Sequence, residues 1–142
     1  MTQTEEERIA LVLSKIQRAH QAWEETKVII DEHLWYAAAN RMYYSCFYMT
    51  SALLASEGIS ASTHAGTIRM LGMYFVSKGV VSQEMNKFYV KLFELRQKGD
   101  YDDYASIEAS DVIPLIETAE EYMETIEKII RNKINQLNNP LY

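Results

Sequence analysis

One arginine near the end of a predicted helix is the first candidate for chemistry. At about 100° per residue, Arg96 falls on the side of that helix that carries the apolar residues. Arginine is rarely buried alone, because its charge must be paired or must border a cleft. Two interpretations are open. One is a salt bridge to Asp100, Asp102 or Asp103, and the other is a clamp for a phosphate or carboxylate group.

Polar residues on two other predicted helices could join such a site. Asn40, Arg41 and Tyr44 interrupt the apolar second helix. They either form an internal hydrogen-bond network that fixes the register of the helices or contact a ligand. His64, at the start of the third helix, is either a structural residue near the helix cap or an acid–base group that titrates near neutral pH.

Several familiar kinds of chemistry are not supported. The three histidines lack the H-E-x-x-H spacing of a zinc protease, and one cysteine cannot build a zinc cage. The sequence contains no glycine-rich phosphate loop and no G-x-S-x-G nucleophile motif. The acidic run at positions 100–103 lacks the glycine and glutamate of a calcium loop. We therefore expect no metal and no cofactor.

The elements that must position these residues are helices. Only 5 Gly and 2 Pro occur in 142 residues, which leaves few positions for the tight turns of an all-β fold. Apolar residues recur at helical spacing over about 5–32, 34–56 and 82–98. The second of these helices is apolar around most of its circumference, so we expect it to be central.

The remaining segments complete one domain. Ser60 to Thr63 offers a cap for a short third helix, Ser82 caps the fourth, and the last helix starts at Ser110 or Asp111 after an acidic loop over 100–109. Glycines at positions 58, 79 and 99 are expected to end helices. The fold class predicted is all-α: an up-and-down four-helix bundle with an additional short helix. It forms a single domain over 1–142, with a core at about 5–130 and a C-terminal tail at 131–142.

Charge is distributed unevenly along the chain. The formal net charge of −6 divides into −3 over 1–33, +4 over 34–98 and −7 over 99–142. The acidic total argues against a duplex DNA binder, whereas the basic middle either pairs with the acidic ends or faces a phosphate-bearing ligand. The N-terminus has no signal-peptide pattern, and 34–56 is too polar for a lipid span. We expect a cytoplasmic protein without a membrane segment.

In combination, these features resemble the HEPN family, named for higher eukaryotes and prokaryotes nucleotide-binding. The resemblance covers about residues 5 to 130 and is closest to a small prokaryotic branch with an N-R-x-Y-Y helix and an R-x-x-x-D-Y ending. Three stretches carry it: A-A-N-R-M-Y-Y-S-C-F at 38–47 with A-L-L at 52–54, H-A-G at 64–66 followed by F-V-S-K-G at 75–79, and F-E-L-R-Q-K-G-D-Y at 93–101.

The resemblance implies a helical bundle, commonly a homodimer, that is either a metal-independent RNase toxin or the accessory partner of a minimal nucleotidyltransferase. RNase members carry an R-x(4–6)-H motif whose arginine binds phosphate and whose histidine moves a proton. Arg96 matches the arginine, but Tyr101, Asp102 and Asp103 stand where the histidine would be. We therefore expect a non-catalytic module in a toxin–antitoxin type of system. It would bind a nucleotide or single-stranded RNA phosphate, or dock onto a nucleotidyltransferase.

Two alternatives remain beside this expectation. The first is a degenerate RNase in which His64 serves Arg96 from another helix or from a second subunit. The second is a purely structural dimeric adaptor in which Arg96 pairs with Asp100. Homodimerisation is also expected because a small bundle can hardly cover the apolar second helix on every side. The predicted ligand-binding residues are Asn40, Arg41, Tyr44, His64, Arg96, Asp100 and Tyr101.

Overall fold

The computed structural model describes residues 3–101 and 106–138, and within these ranges it contains helices and no strand. The all-α class and the helical bundle are confirmed. Four long helices, α1, α2, α4 and α6, are accompanied by short ones. The helices are α1 (Glu5–Asp31), α2 (Trp35–Ser56), α3 (His64–Leu71) with a π-helical turn (Gly72–Val76), α4 (Gln83–Tyr101), α5 (Ala109–Val112), a 3-10 turn (Ile113–Leu115) and α6 (Ile116–Asn138).

Side-chain caps fix most of the helix starts. Thr4 and Glu7 form a reciprocal capping box at α1. The Thr63 hydroxyl accepts the Gly66 amide at α3, and the Ser82 hydroxyl accepts the Met85 amide at 3.1 Å. The caps predicted within 60–63 and at Ser82 are therefore confirmed.

One predicted helix end is wrong. Gly99 does not stop α4, which continues to Tyr101. A Cβ atom at Gly99 would lie 2.6 Å from Cδ1 of Ile107 and 3.1 Å from Cε2 of Tyr36. Glycine is therefore needed here because Ile107 and the Tyr36 ring pack closely against the helix, and not because the backbone makes a left-handed turn. The acidic loop predicted over 100–109 is correspondingly shorter, because Ala109 already begins α5; residues 102–105 lie outside the described part.

The centre of the bundle is α2, as predicted. It packs against α1, α4 and α6, and it buries residues on most of its surface. A stack of fully buried tyrosines runs through this core: the ring centroids of Tyr43 and Tyr89 are 5.9 Å apart, and those of Tyr89 and Tyr122 are 5.7 Å apart. Beyond position 130, in the range predicted as a tail, α6 continues to Asn138 and buries Ile134.

Over residues 3–101 and 106–138, no helix has both the length and the apolarity that crossing a membrane requires.

Candidate functional site

Arg96 lies on the inner face of α4, where the helical wheel puts it, and only 7% of the residue is exposed. Its Nη1 is 3.3 Å from Oδ2 of Asp100 and 3.4 Å from the Tyr44 hydroxyl. Nε is buried and has no hydrogen-bond partner among the described residues. The salt bridge to Asp100 predicted by the structural interpretation is present, yet it leaves the guanidinium incompletely satisfied.

Aromatic rings supply most of the remaining surroundings of this charge. The Arg96 Cζ atom lies 5.0 Å from the ring centroid of Tyr43, 5.6 Å from that of Tyr44 and 5.8 Å from that of Phe93. Ring faces attract a cation at such distances, so they offset part of the cost of removing the guanidinium from water. The guanidinium is therefore stabilised by three aromatic rings in addition to its carboxylate.

Asp100 joins the end of α4 to the start of α2. Its Oδ2 faces Arg96, and its Oδ1 accepts a hydrogen bond of 2.6 Å from the Tyr36 hydroxyl. Because Tyr44 contacts Arg96 while Tyr36 contacts Asp100, the two helices run antiparallel at this site. The carboxylate is 21% exposed, so it borders solvent while Arg96 lies beneath the surface.

His64 reaches the same site from the first turn of α3. Its Nδ1 is 2.6 Å from the Tyr43 hydroxyl. Burial raises the pKa of Tyr43 to about 12, so the hydroxyl keeps its proton and can donate it to Nδ1. Burial, and then the Arg96 charge, lower the pKa of His64 below its usual 6.5. At neutral pH the ring is therefore uncharged, and we assign to it the tautomer in which Nδ1 accepts from Tyr43 and Nε2 carries the proton.

The other predicted site residues, Asn40, Arg41 and Tyr101, differ in their surroundings. Asn40 is half-buried one helical turn from Tyr44 and makes no side-chain hydrogen bond to a described residue. Arg41 Nη2 lies 3.4 Å from Oε1 of Glu25, and its Cζ lies 5.5 Å from the Tyr44 ring centroid. Tyr101 ends α4, but its side chain is outside the described part of the structure, as are Asp102 and Asp103.

Tyr43 is the residue that sequence analysis overlooked. It is fully buried in α2 and is not among the predicted ligand-binding residues, although it stands in the N-R-x-Y-Y stretch. The structure shows that its ring contacts the guanidinium of Arg96, while its hydroxyl contacts the imidazole of His64. The one available signal was that a buried tyrosine hydroxyl needs a partner.

A family model described as "HEPN domain" matches residues 13–130, most of the chain. The protein belongs to the HEPN family. A UPF0332 protein of Thermotoga maritima is 36% identical over 115 residues, which cover 81% of this chain and 87% of that protein. A protein of Methanocaldococcus jannaschii described as a candidate toxin is 29% identical over 116 residues, covering 82% and 86% of the two chains. A second candidate toxin of that organism is 24% identical over 118 residues, covering 83% and 80%.

This HEPN chain therefore matches the family inferred from its motifs. The stretch at 93–101 that carries the resemblance contains Arg96. The histidine of this site is His64, which belongs to α3 and not to the end of α4. Homodimerisation and association with a nucleotidyltransferase stay predictions.

Proposed function

We propose that this HEPN protein binds a phosphate group of a nucleotide or of single-stranded RNA at Arg96. The observation that carries the proposal is the incomplete satisfaction of a buried guanidinium. Among the residues that the structure describes, Arg96 has one ion pair, at 3.3 Å, and a buried Nε without a partner. A phosphate offers several oxygens to the planar fork of arginine, so it can supply the partner that Nε lacks among the described residues.

His64 adds a second donor to the site. With Nδ1 occupied by Tyr43, the proton of the neutral ring is on Nε2 and is available to a phosphate oxygen. The aromatic rings of Tyr44 and Phe47 lie 5.7 Å and 4.6 Å from the His64 ring centroid. Such half-buried rings are suitable surfaces for a base.

The names of the relatives support a proposal about the wider biological role. Two similar proteins are described as candidate toxins, which supports a place for this chain in a toxin–antitoxin type of system. We further propose that the chain is a homodimer or the partner of a minimal nucleotidyltransferase. Sedimentation tests the first, with a mass near 16.5 kDa contradicting a dimer. Co-expression with a nucleotidyltransferase encoded beside the gene tests the second.

Phosphate binding is tested with ATP by calorimetry and with a labelled oligoribonucleotide by fluorescence anisotropy. Arg96→Gln should weaken both by about tenfold or more, since a hydrogen bond to a charged group contributes roughly 1.5–3 kcal/mol. Lys91→Gln is the matched control, because Lys91 is an exposed cation on the same helix. Equal affinities for the wild type and Arg96→Gln, with both proteins folded by circular dichroism, would refute the proposal.

A second candidate function is metal-independent RNA cleavage, favoured by the neutral His64 beside Arg96. Cleavage uses the other tautomer that the 2.6 Å contact allows, in which Nδ1 donates to the Tyr43 hydroxyl. Nε2 then accepts a proton from a ribose hydroxyl, while the arginine stabilises charge on the phosphate. RNA cleavage in the presence of EDTA that is abolished by either His64→Gln or Arg96→Gln would support it. Cleavage that persists in both variants would come from a contaminant and would exclude this function.

A further inference from the structure

The face shared by α1 and α2 carries an arginine stacked on a tyrosine at some distance from Arg96. Arg18 Nη2 donates a hydrogen bond of 3.2 Å to the Tyr48 hydroxyl, and the Arg18 Cζ lies 4.5 Å from the Tyr48 ring centroid. Arg18 has no carboxylate within ion-pair distance among the described residues. An exposed guanidinium without a carboxylate, lying on an aromatic ring, is a surface on which a base and a phosphate can both bind.

This pair is continuous with the Arg96 site. The ring centroids of Tyr48 and Tyr44 are 5.9 Å apart, and the Tyr44 hydroxyl accepts from Arg96. Tyr44 and Tyr48 are four residues apart on α2 and share one side of the helix. Both rings are half-buried, so part of each ring reaches solvent. A continuous series of contacts thus runs from Arg96 on α4, through the rings of both tyrosines on α2, to Arg18 on α1.

Lys15 extends this series by one turn of α1. It borders a cavity of about 310 Å³ between α1, the end of α2 and the loop that follows, with Leu11, Ser51 and Ser60 among the other lining residues. Burial, and then the charge of Arg18, lower the pKa of Lys15. The lysine also has no carboxylate partner among the described residues. Two neighbouring cations that have no counter-charge within residues 3–101 and 106–138 therefore lie at one end of this face.

We propose that a single-stranded polynucleotide binds along this face, running from Arg96 past Tyr44 and Tyr48 to Arg18 and Lys15. These five residues are the α1–α2 track. Its phosphates contact the cations and its bases stack on the rings, the combination that binds single strands with little sequence preference. The inference rests on the proposed function, because it extends the phosphate site at Arg96 from one nucleotide to several. The charge pattern favours a polyanion: Arg96 pairs with Asp100, whereas Lys15 and Arg18 have no carboxylate partner in the described part of the chain.

The test compares UMP, measured by calorimetry, with fluorescein-labelled hexauridylate, measured by anisotropy, on the full chain. Hexauridylate should bind at least about tenfold more tightly than UMP, because each stacked base adds affinity. Tyr48→Ala should remove about tenfold of hexauridylate affinity. Arg18→Gln and Lys15→Gln should each reduce the slope of log K against log salt by about 0.7. UMP binding should stay unchanged in all three variants.

The controls separate this inference from the proposed function. Arg96→Gln should weaken UMP and hexauridylate alike, and if it affects neither, the proposed function itself fails. If Arg96→Gln weakens the binding of UMP but the wild type binds hexauridylate no more tightly than UMP, the α1–α2 track is refuted and the proposed function stands. Arg18→Gln changes an exposed side chain and keeps the test valid if Tyr48→Ala is unstable.

Two further arms identify what occupies the face. Hexadeoxyuridylate shows whether the track binds RNA or DNA. If only the RNA hexamer binds more tightly than UMP, the track binds RNA; if both hexamers do so equally, it binds single strands of both kinds. Either result supports the proposal. Sedimentation of Arg18→Gln and Tyr48→Ala tests for a second copy of the chain. A dimer that dissociates in these variants, without loss of hexauridylate affinity, would make the face a subunit interface and overturn the proposal.

Discussion

The hydroxyl group of Tyr43 lies 2.6 Å from Nδ1 of His64, while the ring of the same tyrosine lies 5.0 Å from the guanidinium carbon of Arg96. One buried side chain on α2 therefore fixes the orientation of an imidazole on α3 and contacts a cation on α4. The ring and the hydroxyl have different roles: the ring stabilises the positive charge of Arg96, and the donated hydrogen bond stabilises the neutral form of His64.

The first prediction concerns the titration of His64. NMR should show a pKa below 6.5 in the wild type, because burial and Arg96 disfavour the imidazolium. Tyr43→Phe should raise that pKa, since it removes a hydrogen bond that only the neutral ring can accept at Nδ1. The ¹⁵N shifts should also lose the signature of a single tautomer. A His64 titration curve identical in both proteins would contradict the assignment, with the exposed His33 as internal control.

The same lowered pKa predicts how folding stability depends on pH. Around and below pH 6.5 the unfolded chain protonates His64 more readily than the folded chain does, so stability is lost as pH falls from about 7 towards the folded pKa. Above pH 7 the contribution is complete. The free energy of unfolding, measured with urea, should therefore decrease more between pH 7 and pH 5 for the wild type than for His64→Gln. An equal fall in both would show that other groups account for the acid sensitivity.

Asp100 should have opposite effects on stability and on binding. Asp100→Asn leaves the buried charge of Arg96 without its carboxylate, which should cost about 1–3 kcal/mol of unfolding free energy. Affinity for ATP or an oligoribonucleotide should rise, because the internal competitor for the guanidinium is gone. Urea unfolding and calorimetry on one preparation measure both quantities.

The control for Asp100 is Glu25→Gln, the same chemical change at a more exposed ion pair with Arg41, which should cost at most about 1 kcal/mol. If Asp100→Asn loses both stability and affinity, then Asp100 supports the site rather than competing for it, and the phosphate model for Arg96 has to be revised.

A fully buried hydrogen bond away from the site gives a prediction on stability alone. The Thr50 hydroxyl donates to the Cys46 carbonyl oxygen, so the Tyr122 hydroxyl is the donor in its 2.7 Å contact with Thr50. Tyr122→Phe should lower the free energy of unfolding by about 0.5–1.5 kcal/mol. Tyr74→Phe, at a tyrosine that is 39% exposed, is the control and should have little effect. Equal losses would mean that the buried bond adds nothing beyond packing.

Periodicity and capping chemistry were enough to predict the bundle and most of its helix ends, because amphipathic spacing and caps such as Ser82 act locally along the chain. The burial of Arg96 was predictable for the same reason, from its position on one helix face. The contact between His64 and Tyr43 was not, since it depends on how the loop after α2 returns α3 to the side of that helix. The role of Gly99 was wrongly predicted for the same reason. That role depends on Tyr36, which is distant in sequence, and on Ile107, which lies beyond the end of α4.

That misjudged glycine gives the last prediction, through a matched pair of substitutions. Gly72 has helical backbone angles (φ −61°, ψ −48°), and a Cβ there would meet nothing within 4 Å. Gly72→Ala should therefore stabilise the protein by about 0.5–1 kcal/mol through helix propensity. Gly99→Ala offers the same propensity gain but places its Cβ against Ile107 and the Tyr36 ring, so it should be about 1–3 kcal/mol less stable than Gly72→Ala.

The clash at Gly99 also has a consequence for the site. Moving the Tyr36 ring strains its 2.6 Å hydrogen bond to Asp100, so Gly99→Ala should alter nucleotide affinity, whereas Gly72→Ala should not. Urea unfolding and ATP calorimetry on both variants measure the two effects. Equal stabilisation by both substitutions would show that Ile107 and Tyr36 move aside freely, and the packing of α4 against α2 would then not explain why glycine is needed at position 99.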